Sequence, residues 1–177
     1  MGFSYTVVKP DIDNEDDYIQ TDRLTDSLRE LAVAKAGKVA DQNAASLVLG
    51  SDTVVVLDDR IIGKPVDRAD AGVMLARLSG REHKVYSSVA LLCAKIHFKI
   101  TAVACTKVLF RDVSHEEIDE YLAAEEYADK AGAYAIQGRA MTFVNTINGC
   151  FYNVMGLPVS ETIAIFKAYG DFLKGSK

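Results

Sequence analysis

Ser46-Leu47-Val48-Leu49-Gly50-Ser51-Asp52-Thr53-Val54-Val55-Val56-Leu57 is the stretch on which the fold turns. It is too rich in Val and Leu for a half-exposed strand, and the polar run Gly50-Ser51-Asp52-Thr53 interrupts it from within. A carboxylate is costly to desolvate alone, so Asp52 in that setting calls for a cation, a metal or backbone donors nearby. The same residue also fits a strand end in an Asx turn beside Gly50. Thr53 is β-branched and at home in a strand without any further role.

On the N-terminal side, Leu24, Leu28, Leu31, Ala32 and Val39 fall on one face of a helix that starts near Asp22 and ends before Asn43. Tyr5 to Lys9 reads as a short strand that Pro10-Asp11-Ile12-Asp13-Asn14 breaks. On the C-terminal side, Asp58-Asp59 reads as a tight turn into Ile61-Ile62, Gly63-Lys64-Pro65 as a loop, and Asp67 to Leu78 as a helix closed by Gly80. Val85 to Ile96 and Phe98 to Phe110 read as two strands joined around Lys95 to His97. Ser114-His115-Glu116-Glu117 opens a helix with a capping box. A strand at Met141 to Ile147 and a helix from about Ser160 to Phe172 follow an irregular Gly-containing region. Strands and helices mixed along one chain without repeat or linker predict an α/β domain whose sheet carries helices on its faces.

The 177 residues correspond to a single domain, and 49% hydrophobic against 25% charged residues is enough to bury a core. A net charge of −5 leaves no cation excess for coating a nucleic-acid backbone, although a pocket for a phosphorylated small molecule needs only a few aimed cations. The longest apolar run, Val89 to Ala94, is far short of the roughly 20 residues that cross a bilayer. Met1-Gly2-Phe3-Ser4-Tyr5 lacks the basic start of an export signal. Cys93, Cys105 and Cys150 show no zinc-ligand spacing and predict buried, reduced thiols in a cytoplasmic protein.

Further polar residues stand at loop ends or in apolar surroundings. Lys64, between Gly63 and Pro65, is placed to reach back over the sheet or simply to be solvated. Gln137 ends the run Ala131-Gly132-Ala133-Tyr134-Ala135-Ile136 and offers a donor and an acceptor to a base edge or to backbone. Lys35 lies among Ala32, Ala34 and Ala36, whose small side chains permit close approach, and equally fits an exposed helical lysine. His83, His97 and His115 form no metal spacing, and neither GxGxxG nor GxxxxGK[ST] is present.

Six segments in order carry a resemblance: Pro10-Asp11-Ile12-Asp13, Ser51-Asp52-Thr53-Val54-Val55, Gly63-Lys64-Pro65, Leu78-Ser79-Gly80-Arg81-Glu82-His83, the stretch Asp129 to Gly138, and Gly156-Leu157-Pro158. Together they resemble the Maf family of nucleoside triphosphate pyrophosphatases, from Gly2 to about Phe166. The resemblance implies an α/β fold with a mixed β-sheet flanked by helices and a deep cleft, similar to inosine triphosphatase, as one domain over residues 1–177. It implies hydrolysis between the α- and β-phosphates, a divalent cation (Mg or Mn) and a homodimer. The Asp52-Thr53 pair with Ala133-Tyr134-Ala135-Ile136-Gln137-Gly138 resembles the branch acting on dTTP and UTP. Asp52 matches the family's catalytic aspartate, and the resemblance implies that it also ligates the metal. Lys35 and Lys64 match its phosphate-facing lysines, and Thr53 and Gln137 match positions tied to substrate choice.

Departures from the pattern accompany these matches. The family's opening strand and serine-arginine loop stand before the position of Gly2, so the chain is expected to be N-terminally truncated relative to the family. Two missing arginines would lower turnover by roughly two to four powers of ten. Asn14 stands where a carboxylate is usual, beside Asp13 and Glu15; Ala34 replaces a common Glu, and Ser87-Ser88 a usual Thr-Gly. Either an upstream start belongs to an ordinary pyrophosphatase, or the chain is a nucleotide-binding relative with little catalysis. Methylated or purine triphosphates are the other substrate expectation.

Overall fold

The structure, a computed structural model, describes residues 4–12 and 15–175. Its longest feature is an antiparallel hairpin of β3 (Glu82–Cys93) and β4 (Phe98–Phe110), closed by a 3₁₀ turn, Ala94–Ile96, and by His97 at φ +52°. Before it, β1 (Val48–Leu57) turns through Asp58 and Asp59, both with positive φ, into the short β2 (Arg60–Ile62). Two adjacent left-handed residues give the tight reversal whose twist matches that of paired strands, and Asp tolerates that conformation better than most residues. After the hairpin, β5 (Val144–Asn148) joins β4. The sheet order is β2-β1-β3-β4-β5, and every strand pairing among the described residues is antiparallel.

Helices cover both faces, as the α/β reading requires. On one face α1 (Leu24–Gln42) packs Leu28 against Val54 and Val56, and Ala32 and Ala36 against Ala90. On the other, Val55, Leu57, Val85 and Phe110 meet α2 (Arg68–Leu78), α3 (His115–Ala123) and the stretch 131–143. Farther along that side, Val89, Leu91 and Phe98 pack on Ile165 of the last helix. Valines 54 to 56 are buried whichever way they point, which is why β1 reads as a continuous apolar run rather than an alternating one.

Caps stand where the sequence places them. Asp67 accepts from the Asp70 N–H at 2.8 Å, and Ser114 and Glu117 form a reciprocal capping box. The contact between α1 and β1 has no slack. A Cβ added to Gly50 would lie 2.7 Å from Ala32 O and 3.0 Å from Ala36 Cβ. Glycine is therefore a packing requirement at this position.

Two sequence expectations differ from the structure. Residues 5–9 pair with no strand, and Tyr5 and Val7 are exposed, so the apolar pattern there lacks the neighbour that a strand needs. Of the three free thiols, Cys93 is buried but Cys105 is exposed, on the side of β4 left open to solvent.

Candidate active site

β2 pairs with β1 only at Val55, Val56 and Leu57, so the stretch 48–54 of β1 has no strand beside it on that side among the described residues. Side chains from both faces of β1 therefore reach one space past its open edge. A groove of about 540 Å³ lies there, lined by Ser51, Asp52 and Thr53 from β1, by Lys64, by Lys130, Tyr134 and Gln137, and by Met155 and Gly156. The loop carrying Lys64 is tied to the opposite wall by the Gly132 N–H to Gly63 O bond, 2.9 Å. Gly132 adopts φ +71° and faces Val55, a combination that explains a glycine in this wall.

Asp52 alternates onto the α1 side of the strand, with Val54 and Val56. There Lys35, rising from α1, donates to Asp52 Oδ1 at 2.6 Å and to Glu15 Oε2 at 2.8 Å. The side chains of Lys35 and Asp52 are only 13% and 14% exposed. Burial raises the Asp52 carboxyl above its ordinary value; the hydrogen bond and charge of Lys35 pull it back, Glu15 pushes it up, and Lys64 adds a further downward pull. Burial alone would lower the Lys35 ammonium, but its bonds to Asp52 and Glu15 outweigh that and raise it. The cluster is a carboxylate of raised basicity held by an ammonium at the rim of a groove.

Thr53 alternates to the other side, into a buried polar network. Its Oγ1 is 2.8 Å from Ser87 Oγ, its cross-strand partner. Ser87 donates to Asn153 O at 2.9 Å. Asn153, on the single-turn helix α4 (Phe151–Val154), donates through Nδ2 to Val85 O and to Thr106 Oγ1. Ser51 Oγ lies 2.9 Å from Gly156 O and 2.8 Å from Ser88 O, two carbonyls that share its one proton. These bonds dock the segment 150–156 beneath the groove. On the far wall, His83 Nε2 lies 2.8 Å from Tyr134 OH, with Phe110 edge-on to both rings. Burial lowers the His83 pKa to about 4, so the ring is neutral at pH 7.

Of the residues singled out in the sequence, Asp52, Thr53, Lys64 and Gln137 line the same groove, and Lys35 reaches it through Asp52. Asn14 and Asp13 lie outside the described residues. Sequence reasoning missed Asn153, Tyr134 and the part Ser87 plays. The signal for Ser87 was available: Ser87-Ser88 interrupts the apolar run of β3 as Asp52 interrupts β1. No helix among the described residues is long and apolar enough to cross a membrane.

A family profile described as Maf-like protein matches residues 1–169. The chain belongs to the Maf family. A dTTP/UTP pyrophosphatase of Clostridium botulinum (strain Hall) is 42% identical over 153 residues, which cover 84% of this chain and 78% of that protein. One of Symbiobacterium thermophilum is 39% identical over 170 residues, covering 96% and 86%. One of Clostridium acetobutylicum is 50% identical over 123 residues, covering 70% and 62%. Four of the segments that carry the Maf resemblance contribute groove-lining residues, from β1, the Lys64 loop, the stretch 129–138 and Gly156. A fifth acts through His83 on Tyr134.

Proposed function

We propose that this protein hydrolyses dTTP and UTP between the α- and β-phosphates, releasing the nucleoside monophosphate and pyrophosphate. The observation that carries the reading is the convergence of Asp52, Thr53, Lys64 and Gln137 on one groove in a Maf-family chain whose relatives above are named dTTP/UTP pyrophosphatases. A volume of about 540 Å³ lies within the range of small-molecule sites.

Asp52 acts as general base. Its burial makes the carboxylate a better proton acceptor than an exposed aspartate, while Lys35 keeps it ionised and fixes its orientation. Water gives up a proton to Asp52 as its oxygen bonds to the α-phosphorus, and the bond to the bridging oxygen breaks to release pyrophosphate. Lys64, on its loop at the groove, offsets the charge that grows on the phosphoryl oxygens. Gln137 presents an amide donor and acceptor to the polar edge of the base.

Among the described residues no group of three or more His, Cys, Asp or Glu side chains stands ready for a metal. Asp52 and Glu15 nevertheless share one ammonium, and one or two carboxylates completed by substrate phosphates are the usual donor set for magnesium. These two would hold Mg or Mn, which when bound supplies further neutralisation of phosphate charge. The same reading places the reaction in the cytoplasm, in keeping with three free thiols. It also makes the assembly a homodimer, for which Phe151, Tyr152 and Leu157 offer exposed apolar side chains.

Pyrophosphate release from dTTP, UTP and a panel including CTP, GTP and 7-methyl-GTP, with Mg or Mn, tests the reading. Asp52→Asn is expected to reduce release on UTP by about 100-fold or more. Release unchanged by Asp52→Asn removes Asp52 from the mechanism, and nucleotide-dependent thermal stabilisation without hydrolysis refutes the enzyme reading.

A further inference from the structure

The network beneath Thr53 fixes the direction of a hydrogen bond. Ser87 Oγ lies 2.9 Å from the main-chain O of Asn153, and a carbonyl only accepts, so the single hydroxyl proton of Ser87 lies between those two oxygens. Thr53 Oγ1 lies 2.8 Å from Ser87 Oγ, a separation that also needs a proton between the oxygens. Ser87 has none left, so Thr53 donates. Ser87 and Asn153 are both fully buried, which shields this arrangement from solvent. The Asn153 carbonyl takes a second bond from the Gly156 N–H at 3.0 Å, within the capacity of its two lone pairs.

With its proton committed inward, Thr53 Oγ1 offers only lone pairs to the groove that Thr53 lines. Gly156 leaves that oxygen uncovered: a Cβ there would lie 3.5 Å from it, and φ is +104°, a conformation that L side chains rarely adopt. The base edge that fits must bring a donor. Uracil and thymine carry a hydrogen on ring nitrogen N3, whereas N3 of cytosine is itself a lone-pair acceptor and would face Thr53 lone pair to lone pair.

We propose that Ser87, which lines no part of the groove, is the specificity-setting positioning residue: it holds Thr53 as an acceptor-only contact and so selects pyrimidine bases bearing N3–H over cytosine. This rests on the groove being a pyrimidine triphosphate site and adds to that reading a residue and a hydrogen-bond direction. A merely structural Ser87 would change rates on all substrates together. A polarity-setting Ser87 changes the ratio between them.

The experiment is kcat/KM for UTP, dUTP, CTP and N3-methyl-UTP with the native chain, Ser87→Ala and Ser87→Thr. In Ser87→Ala the Thr53 proton is released to turn into the groove and donate to cytosine N3, so the UTP-to-CTP ratio falls by about tenfold. Ser87→Thr keeps the hydroxyl and the native ratio. The native chain turns over N3-methyl-UTP at least about tenfold less efficiently than UTP. If Ser87→Ala does not fold, Thr53→Val removes the acceptor with little change of shape and lowers the same ratio. An unchanged UTP-to-CTP ratio, equal turnover of UTP and N3-methyl-UTP, or a change confined to the UTP-to-dUTP ratio, which marks the sugar hydroxyl as the donor, overturns the proposal. Absence of hydrolysis of both UTP and dTTP by the native chain refutes the pyrophosphatase reading instead. Calorimetric Kd values for UMP and CMP with the same variants then decide the role of Ser87 separately.

Discussion

Acidification should loosen the fold through His83, and His83→Gln should remove that part of the sensitivity. The ring is 1% exposed and bonded through Nε2 to Tyr134 OH. Burial holds its pKa at about 4 in the folded chain, against about 6.5 for an ordinary histidine. Between those values the unfolded chain binds a proton that the folded chain refuses, so stability falls as pH drops. The loss is about 1.4 kcal/mol per pH unit, or about 3 kcal/mol across the window, and none is added below pH 4. Carboxylates titrate in the same range, so the quantity to measure is a difference of differences: urea unfolding free energies at pH 7, 5.5 and 4 for the native chain and for His83→Gln, whose amide does not titrate. The variant is expected to lose about 3 kcal/mol less than the native chain between pH 7 and pH 4. Parallel pH curves for the two proteins refute the argument that a neutral, buried ring anchors this wall.

Three other outcomes follow from the geometry. Lys64→Ala is expected to lower kcat by about 10- to 100-fold while nucleotide Kd changes far less, because the charge it meets develops in the transition state; equilibrium binding beside turnover checks this, and a change in Kd alone contradicts it. Asn153→Ala removes two buried hydrogen bonds and should cost about 2 kcal/mol and about 4–8 °C in Tm; an unchanged Tm shows that the 150–156 segment is held by other means. Gly50→Val pushes a side chain into the Ala32 carbonyl; a cost of about 1–3 kcal/mol, read by thermal unfolding, together with reduced pyrophosphatase turnover, is the expected result.

The parts of the fold that were legible in the sequence are those whose signals are local. The helix through Leu28, Leu31 and Ala32, the Asp58-Asp59 reversal, the Ser114 capping box and the long hairpin all declare themselves within a few residues. Residues 5–9 have the composition of a strand, but composition does not supply a pairing partner. The one-turn helix at Phe151–Val154 is too short to show a period. Asp52 stood out because a charge in an apolar run demands an explanation; Lys35 was marked by its alanine neighbours, but its pairing with an acid 17 positions away was not legible, because an alanine-flanked helical lysine also fits a solvated face. The Lys64 loop is joined to the wall that carries Gln137 by a backbone bond between Gly132 and Gly63, for which no side-chain pattern gives a sign.

Gly50 gives the site its calibration. At Gly50 the helix bearing Lys35 comes down onto main-chain atoms of the strand bearing Asp52, with Ala32 and Ala36 facing the glycine. The backbone spacing there is thus cut to the thickness of a peptide, like the gap of a gauge block, and the lysine stem has a set distance to span to its acid. A methyl added at Gly50 would push that helix and strand apart, so a residue outside the lining of the groove governs the frame on which cation and acid are held.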